Sequence, residues 1–379
     1  MESKERQTMN QQAIALSLEN IRVAMASGDA MGVDTSALKR DLHALMGQQD
    51  AHAGAAGGSA KKRKVAKTQT EVGERIKASW DHAEIVRLMN QQIGEAGVQE
   101  AGCEALWYLC FNAATKLKLS KPGIKAVVAG MRVHAGAEEV QEAGCRALAK
   151  MTNAERVEPK LHIFDAWVVE ALSEIIEVVV AGMRAHAGAP EVQEQGFLAL
   201  GNFCWAKDNI MKDKIAELGG IEALLAGMRA HAGAAGVQVA GCLALYSLCD
   251  QHEDNRVKVA EHFGIEAVLA SMNAHEDDPM VQQQGCRALS NLCSKNANNQ
   301  AKIAALGGIK AVVGGMRTHA GAAGVQVAGC RTLRELCDDA NNLERINKLH
   351  RNVVESAMAA HPSNRSVEAE GRKLLGKLV

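Results

Sequence analysis

One phrase of fifteen residues returns through most of the chain, and it constrains the fold more than any other feature. It reads MRAHAGAAGVQVAGC from Met228. Its opening methionine stands at positions 89, 131, 183, 228, 272, 316 and 358, and the first and last copies are the weaker ones. The intervals lie between 42 and 45 residues, apart from one of 52. A period of this size is typical of stacked helical units, each of which buries its apolar face against its neighbours.

Each repeat divides into three segments that are predicted to be helical. A short polar segment such as DNRVKVAEHFG comes first, and the apolar segment GGIEALLAGMRAH represents the second. In that second segment Ile221, Leu224 and Met228 recur at helical spacing. After the turn AGAAG, a third and longer helix is expected over 237–249. We therefore predict an all-α solenoid of about seven three-helix repeats.

A glycine interrupts every third helix five residues from its start. It stands at positions 102, 144, 196, 241, 285, 329 and 371. A glycine inside a helix lowers helix stability by about 1 kcal/mol relative to alanine. Because all copies carry this cost, we predict that a neighbouring helix passes too close for a β-carbon, which is a packing requirement.

The ten cysteines follow the same scheme, since they occupy the sixth and thirteenth positions of the third helices. Seven residues of helix span about 10.5 Å, whereas a disulfide needs Cα atoms within about 7 Å. No Cys-x-x-Cys pair and no zinc-type spacing of cysteine and histidine is present. We expect small, buried, reduced side chains in a reducing compartment.

The histidines of the repeated phrase form a ladder at positions 134, 186, 231, 275, 319 and 361. Stacked helices lie about 8–10 Å apart, so adjacent histidines cannot easily share a metal whose ligands lie about 2.1 Å away. Each imidazole is expected instead to bond the last carbonyls of its own second helix. The turn HAGAAG lacks the lysine and hydroxyl residue of a phosphate-binding loop. We predict no catalytic site, no cofactor and no metal site.

The first 70 residues lie outside the regular repeat. We predict a helical hairpin or cap over 1–47, a low-complexity basic linker over 48–70 and the repeat array over 71–379. Within the linker, KKRKV resembles a monopartite nuclear localisation signal carried by Lys61, Lys62, Arg63 and Lys64. A solvated charge cluster without a receptor is the alternative, so the expected location is the cytoplasm, with the nucleus added if the signal works.

The charge and hydropathy of the chain exclude some classes of partner. A formal net charge of −1 gives no strong attraction to nucleic acid or anionic lipid. No stretch approaches the roughly 18 apolar residues of a membrane span, and the opening MESKERQTMNQQ lacks the apolar core of a secretory signal. We therefore expect protein partners, with no specific binding of nucleic acid and no membrane association.

The wording G-G-I-x-A-L-L, followed by V-Q-x-x-G-C-x-A-L-x-N-L, resembles the armadillo repeat. The Met-x-x-His turn is similar to armadillo modules of the large leucine-rich-repeat kinases and their protist relatives. The resemblance covers about Thr70 to Val379. It implies a right-handed superhelical solenoid whose third helices line a concave groove for an extended partner chain.

By this resemblance, the seventh and eleventh positions of each third helix face the groove. The candidate groove residues are Tyr108, Arg146, Lys150, Leu198, Asn202, Leu243, Arg287, Asn291 and Arg331. Importin-α proteins carry tryptophan at the first of these positions and asparagine at the second. Here the tryptophans are missing and asparagine remains only at Asn202 and Asn291, which argues against the grip on lysine stems that those proteins use.

The resemblance leaves three functions open. The first is a non-enzymatic scaffold or adaptor that binds an extended segment, acidic or phosphorylated where it meets the cations of the groove. The second is a receptor-like binder of basic peptides in nuclear transport. The third is the regulatory armadillo module of a larger, kinase-type protein.

Overall fold

The computed structural model describes residues 71–76, 79, 81–111, 113–152, 166–204 and 209–378, and all regular structure within them is helical. The chain divides into two compact units, 1–134 and 135–379. The predicted N-terminal cap, the linker and the KKRKV motif lie outside the described residues. The two units are described separately below.

The first unit contains α1 (His82–Gln91), α2 (Ala96–Leu109) and α3 (Ala113–Val133). The carboxylate of Asp81 begins α1 by accepting the backbone N–H of Ala83 at 2.9 Å, which satisfies one of the unpaired donors at the helix start. Ile85, Met89 and Leu106 are fully buried between these helices. Apolar residues at helical spacing thus form the core of this unit, as the pattern predicts.

The described part of the second unit contains fourteen helices. They are α4 (Glu138–Thr152), α5 (Ala166–Ala185), α6 (Pro190–Phe203), α7 (Ile210–Glu217), α8 (Gly220–Ala230), α9 (Ala235–Cys249), α10 (Glu253–Glu261), α11 (Gly264–Ala274), α12 (Pro279–Cys293), α13 (Ala297–Ala305), α14 (Gly308–Thr318), α15 (Ala323–Leu336), α16 (Ala340–Ala360) and α17 (Arg365–Lys377). The third helices of successive repeats, namely α4, α6, α9, α12, α15 and α17, pack side by side. The all-α repeat fold predicted from the sequence is confirmed.

The predicted division into three helices holds for the repeats that end in α9, α12 and α15. In each of them a single left-handed residue separates the first helix from the second. These residues are Gly219 with φ 75°, Phe263 with φ 63° and Gly307 with φ 83°. A left-handed residue ends one helix and lets the next begin in a new direction.

In three repeats the first two helices run on as one helix, which corrects the prediction of three helices in every repeat. The long helices α3, α5 and α16 contain no such break. The place equivalent to Gly219 holds Pro122 in α3 and Glu174 in α5. Proline fixes φ near −65° and glutamate adopts the left-handed region only at a cost, so neither provides the joint.

In six of the third helices, the repeated glycine packs against the methionine that opens the repeated phrase, namely Gly102, Gly196, Gly241, Gly285, Gly329 and Gly371. A β-carbon placed on Gly241 would lie 2.6 Å from Cγ of Met228, and the same relationship joins Gly285 to Met272 at 2.5 Å. Real β-carbons do not approach other atoms this closely. The predicted packing requirement is confirmed, and the obstacle is the buried methionine of the repeat's own second helix.

In four repeats of the second unit, a glutamine at the second position of the third helix closes the turn, a role that the sequence analysis missed. Nε2 of Gln238 donates to the carbonyl oxygens of Met228 at 2.9 Å and His231 at 2.8 Å. Gln193, Gln282 and Gln326 make the equivalent pair of bonds in their own repeats. The buried amide therefore satisfies carbonyls that the end of the second helix leaves unpaired.

The histidine ladder joins one repeat to the repeat before it. Nε2 of His231 lies 2.8 Å from the carbonyl oxygen of Ala187 in the preceding repeat. The later histidines contact the repeat before their own in the same way, namely His275, His319 and His361. The expectation that each ring bonds its own helix is wrong, because the ring reaches the preceding repeat and the carbonyls at the end of its own helix accept from the backbone N–H of His231 and from Gln238. A carbonyl only accepts, so Nε2 carries the proton and cannot ligate a metal.

Candidate functional site

The outer surface of the third helices is formed by their seventh and tenth positions. In the second unit the side chains there that are half-exposed are Arg146, Leu198, Leu243, Tyr246, Arg287, Arg331 and Arg334. We call these seven residues the third-helix face. Their helix neighbours point into the core, since Cys242 and Ala244 on either side of Leu243 are fully buried. Helical spacing thus presents one row of side chains per helix.

The eleventh positions flank this face and are more deeply placed. Nδ2 of Asn202 donates to the carbonyl oxygen of Ala149 at 3.1 Å. Nδ2 of Asn291 donates to the carbonyl of Tyr246 at 2.8 Å, and Asn291 is only 3% exposed. Both amide nitrogens therefore bond to the preceding third helix. A partner chain could contact these side chains only by donating a backbone N–H to their amide oxygens. Lys150 is half-exposed at the same position.

In the first unit, Tyr108 occupies the equivalent eleventh position on α2. It is half-buried and its ring centroid lies 6.1 Å from that of Phe111. Trp107 packs edge-on against the same phenylalanine at 5.1 Å. Tyr108 thus belongs to a small aromatic cluster of the first unit.

Two of the four arginines on the third-helix face are neutralised by carboxylates. Arg146 forms an ion pair with Glu142 on its own helix. Arg334 binds Glu335 at 2.9 Å and also binds Glu370 of the next third helix. These guanidinium groups are committed to the repeat array, and they contribute no net positive charge to the surface.

The other two arginines, Arg287 and Arg331, have no carboxylate partner among the residues that the structure describes. The guanidinium carbon of Arg287 lies 4.1 Å from the ring centroid of Tyr246, and Nη1 donates to Oε1 of Gln284 at 3.0 Å. Nε of Arg331 is buried and has no hydrogen-bond partner. Pairing of these arginines with Glu335, the alternative to ligand binding, does not occur because Glu335 is bound by Arg334.

The thiols contribute no reactive group to this surface. All ten cysteines are buried, and none of them forms a disulfide. Burial raises the pKa of Cys242 and of Cys286 to about 12, so the nucleophilic thiolate is scarce near neutral pH. The neighbouring thiols Cys242 and Cys330 further oppose ionisation of Cys286.

The described part of the chain contains neither a metal-binding cluster nor a membrane-spanning helix. No group of three or more histidine, cysteine, aspartate or glutamate side chains there is arranged to hold a metal ion. No helix in this part of the chain combines the length and the apolar character needed to cross a bilayer.

Sequence reasoning missed the tenth position of the third helices. Tyr246 and Arg334 stand three residues after Leu243 and Arg331, and therefore share their helix face. The helical period alone would have found both residues. The pairing of the charges could not be found in this way, because Arg334 reaches a glutamate 36 residues further along the chain.

Comparison with known families agrees with this architecture. Residues 206–379, all within the second unit, match the family model described as LRRK2 ARM repeat. No curated protein matches the sequence. Helical solenoids of this kind are typically not catalytic, and they generally bind other proteins. The helical repeats are therefore of the armadillo type, and residues 206–379 are similar to the ARM repeats of LRRK2.

Proposed function

We propose that the protein is a non-enzymatic scaffold or adaptor that binds an extended segment of another protein along the third-helix face. The observation that carries this proposal is the row of half-exposed side chains at the seventh position of consecutive packed helices. The row changes from apolar at Leu198 and Leu243 to cationic at Arg287 and Arg331. The apolar part of such a surface can anchor apolar side chains of a ligand, and its cationic part can bind negative charges of the same ligand.

The spacing of the helices supports an extended ligand. Packed helices lie about 8–10 Å apart, and an extended chain advances about 3.3 Å per residue. One repeat therefore corresponds to about three residues of the partner. A segment that spans Leu198 to Arg331 crosses four third helices and would contain roughly ten residues.

The charges on the face favour an anionic segment over a basic one. Arg287 and Arg331 carry uncompensated positive charge, which would repel lysine-rich peptides. The transport-receptor alternative is therefore the weaker one. The acidic or phosphorylated segment expected from the sequence suits these two positions.

A non-catalytic role is supported by the chemistry of the residues that might otherwise react. The thiols are buried with raised pKa values, and the ring Nε2 atoms of the ladder are bonded to carbonyls. The thiols are thus poor nucleophiles near neutral pH, and Nε2 of these rings, which carries the proton, cannot accept another.

A regulatory module of a larger protein is a second candidate. The match of residues 206–379 to the LRRK2 ARM repeat favours it. The two candidates share the binding surface and differ only in whether the partner segment lies in the same polypeptide.

The experiment compares two charge insertions that differ only in location. Leu243→Glu alters the third-helix face, whereas Val257→Glu alters α10, where the wild-type valine is 40% exposed. Proteins recovered with each tagged variant from cell lysate are quantified against wild type, and thermal melting confirms folding. Loss of the same proteins with Leu243→Glu but not with Val257→Glu supports the proposal. Equal retention by both variants would reject this face.

A further inference from the structure

We propose that Arg287 and Arg331 bind the phosphate group of a phosphorylated serine or threonine in the partner segment. This inference rests on the proposed function and specifies the chemistry of its ligand. It follows from the charge balance of the face, the contacts of the two side chains and the number of donors that they offer.

The uncompensated charge is confined to two adjacent helices. On the third-helix face, Arg146 and Arg334 are occupied by carboxylates, whereas Arg287 on α12 and Arg331 on α15 are not. Among the acidic residues of the neighbouring helices, Glu335 and Glu370 are bound by Arg334 and Asp338 is bound by Lys377, while Asp250 accepts a hydrogen bond from Asn291. An incoming anion therefore meets two cations and does not displace an internal carboxylate.

The two guanidinium groups are prepared for an anion in different ways. The guanidinium carbon of Arg287 lies 4.1 Å from the ring centroid of Tyr246 in a cation–π contact, which leaves the in-plane N–H donors uncovered by the ring. Only one hydrogen bond, to Gln284, uses those donors. On the next helix, the N–H of Arg331 Nε is buried and unpaired. Such donors are normally satisfied, and an anion oxygen would satisfy this one after an outward movement of the side chain, because the atom is closed to solvent.

A phosphate fits the pair better than a carboxylate does. Two arginines provide a charge of +2, and a phosphorylated side chain carries about −1.5 to −2 at pH 7 with three acceptor oxygens. A carboxylate has one charge, and a single arginine can bind both of its oxygens. Because Arg287 and Arg331 occupy equivalent positions of adjacent helices, they can approach one group from two sides. A carboxylate is therefore fully bound by one of the arginines, whereas a phosphate has enough charge and enough acceptor oxygens to bind both.

The surface beside the arginines favours a peptide as the carrier of the phosphate. Leu243 stands one helical turn from Tyr246 on α9 and is half-exposed. One repeat corresponds to about three residues of extended chain. A segment with its phosphorylated residue at the two arginines would thus place an apolar residue, about three positions away, against Leu243.

The test uses a degenerate peptide library with a fixed central phosphothreonine, together with its unphosphorylated and glutamate counterparts. Binding to the full chain is measured by fluorescence anisotropy, and the best phosphopeptide is sequenced and resynthesised. We expect the phosphopeptides to bind at least tenfold more tightly than both counterparts, with an apolar residue selected about three positions from the phosphothreonine.

Substitutions connect this preference to the two arginines. Arg287→Ala and Arg331→Ala should each weaken phosphopeptide binding at least tenfold, whereas the control Arg317→Ala should not, because Arg317 is an exposed arginine at the end of α14. Lysine at either position should restore binding only in part, because an ammonium group lacks the planar fork. Thermal melting identifies any variant that fails to fold.

The pH dependence distinguishes phosphate from carboxylate. The second pKa of a phosphorylated side chain is about 6, so phosphopeptide binding should weaken as the pH falls through 6 and the phosphate loses a charge. The glutamate peptide should change little over that range, because its carboxyl group titrates near 4.3.

Three outcomes would overturn the inference. Equal affinity for phosphothreonine and glutamate peptides would show that the arginines do not prefer phosphate. The proposed function would still hold if Leu243→Glu weakened the binding of both peptides. Phosphopeptide binding that survives both arginine substitutions would place the phosphate elsewhere. Arginine-dependent binding to vesicles containing a phosphoinositide, without binding to any peptide, would assign the pair to a lipid headgroup.

Discussion

Nε2 of His231 lies 2.8 Å from the carbonyl oxygen of Ala187, a residue of the preceding repeat. The equivalent histidines repeat this contact, so the ladder is a line of hydrogen bonds that runs across the repeats of the second unit. In a repeat protein, stability is divided between the units and the interfaces between neighbours. The ladder belongs to the interfaces.

Replacing His231 tests this role. We expect His231→Ala to lower the free energy of unfolding by about 1 kcal/mol, the usual contribution of one hydrogen bond between neutral groups. His231→Gln should cost less, because an amide N–H can replace the imidazole donor. Urea denaturation followed by circular dichroism gives both values. Metal analysis should show no zinc in either protein, and stoichiometric zinc in wild type would disprove the structural role.

The contact between Gly241 and Met228 predicts opposite effects for two substitutions of glycine by alanine. In Gly241→Ala the new β-carbon would meet Met228 at 2.6 Å, and overpacking of this kind costs about 1–3 kcal/mol. In the control Gly314→Ala, no atom lies within 4 Å of the β-carbon. Alanine there should stabilise α14 by about 0.5–1 kcal/mol.

Thermal melting of the two glycine variants and of Gly241→Ala/Met228→Ala checks this account. The double variant should recover part of the stability lost by Gly241→Ala, because the methionine no longer obstructs the β-carbon. A rise in melting temperature for Gly241→Ala alone would show that helix propensity outweighs the contact.

The cysteines should react slowly in the native protein. Their side chains are buried, and burial raises the pKa of Cys145 and of Cys249 to about 12. Because the thiolate is the reactive form, we expect a disulfide-exchange reagent at pH 8 to label ten thiols in denaturant and few in native protein. Rapid native labelling of most thiols, or a disulfide found by mass spectrometry, would contradict the buried positions.

The basic motif in the linker remains a sequence-based prediction. If KKRKV is a working import signal, alanine at Lys61, Lys62, Arg63 and Lys64 should shift a fluorescently tagged protein from the nucleus to the cytoplasm. The melting temperature should not change, because a linker contributes little to folding. An unaltered distribution between the compartments would identify the motif as a solvated charge cluster.

The repeated phrase was sufficient to predict the fold class, because its period and its apolar spacing determine how the helices stack. The fusion of helices in α3 could also have been read from Pro122, which cannot provide a left-handed joint. In contrast, the contact of His231 depends on how far one repeat is displaced from the next, which no local pattern records. The free charges of Arg287 and Arg331 were equally hidden, since they depend on which arginine Glu335 binds.

The most direct measurement is the dissociation constant of a partner recovered with the wild-type protein, compared with that of the Arg287→Glu/Arg331→Glu variant at low and high salt. We expect the variant to bind at least tenfold more weakly at low salt, a loss of about 1.4 kcal/mol or more. The difference should shrink at high salt, because screening weakens exposed charge interactions. Its melting temperature should stay near that of wild type. Unchanged binding by a folded variant at both salt concentrations would contradict the account and place the partner on another surface.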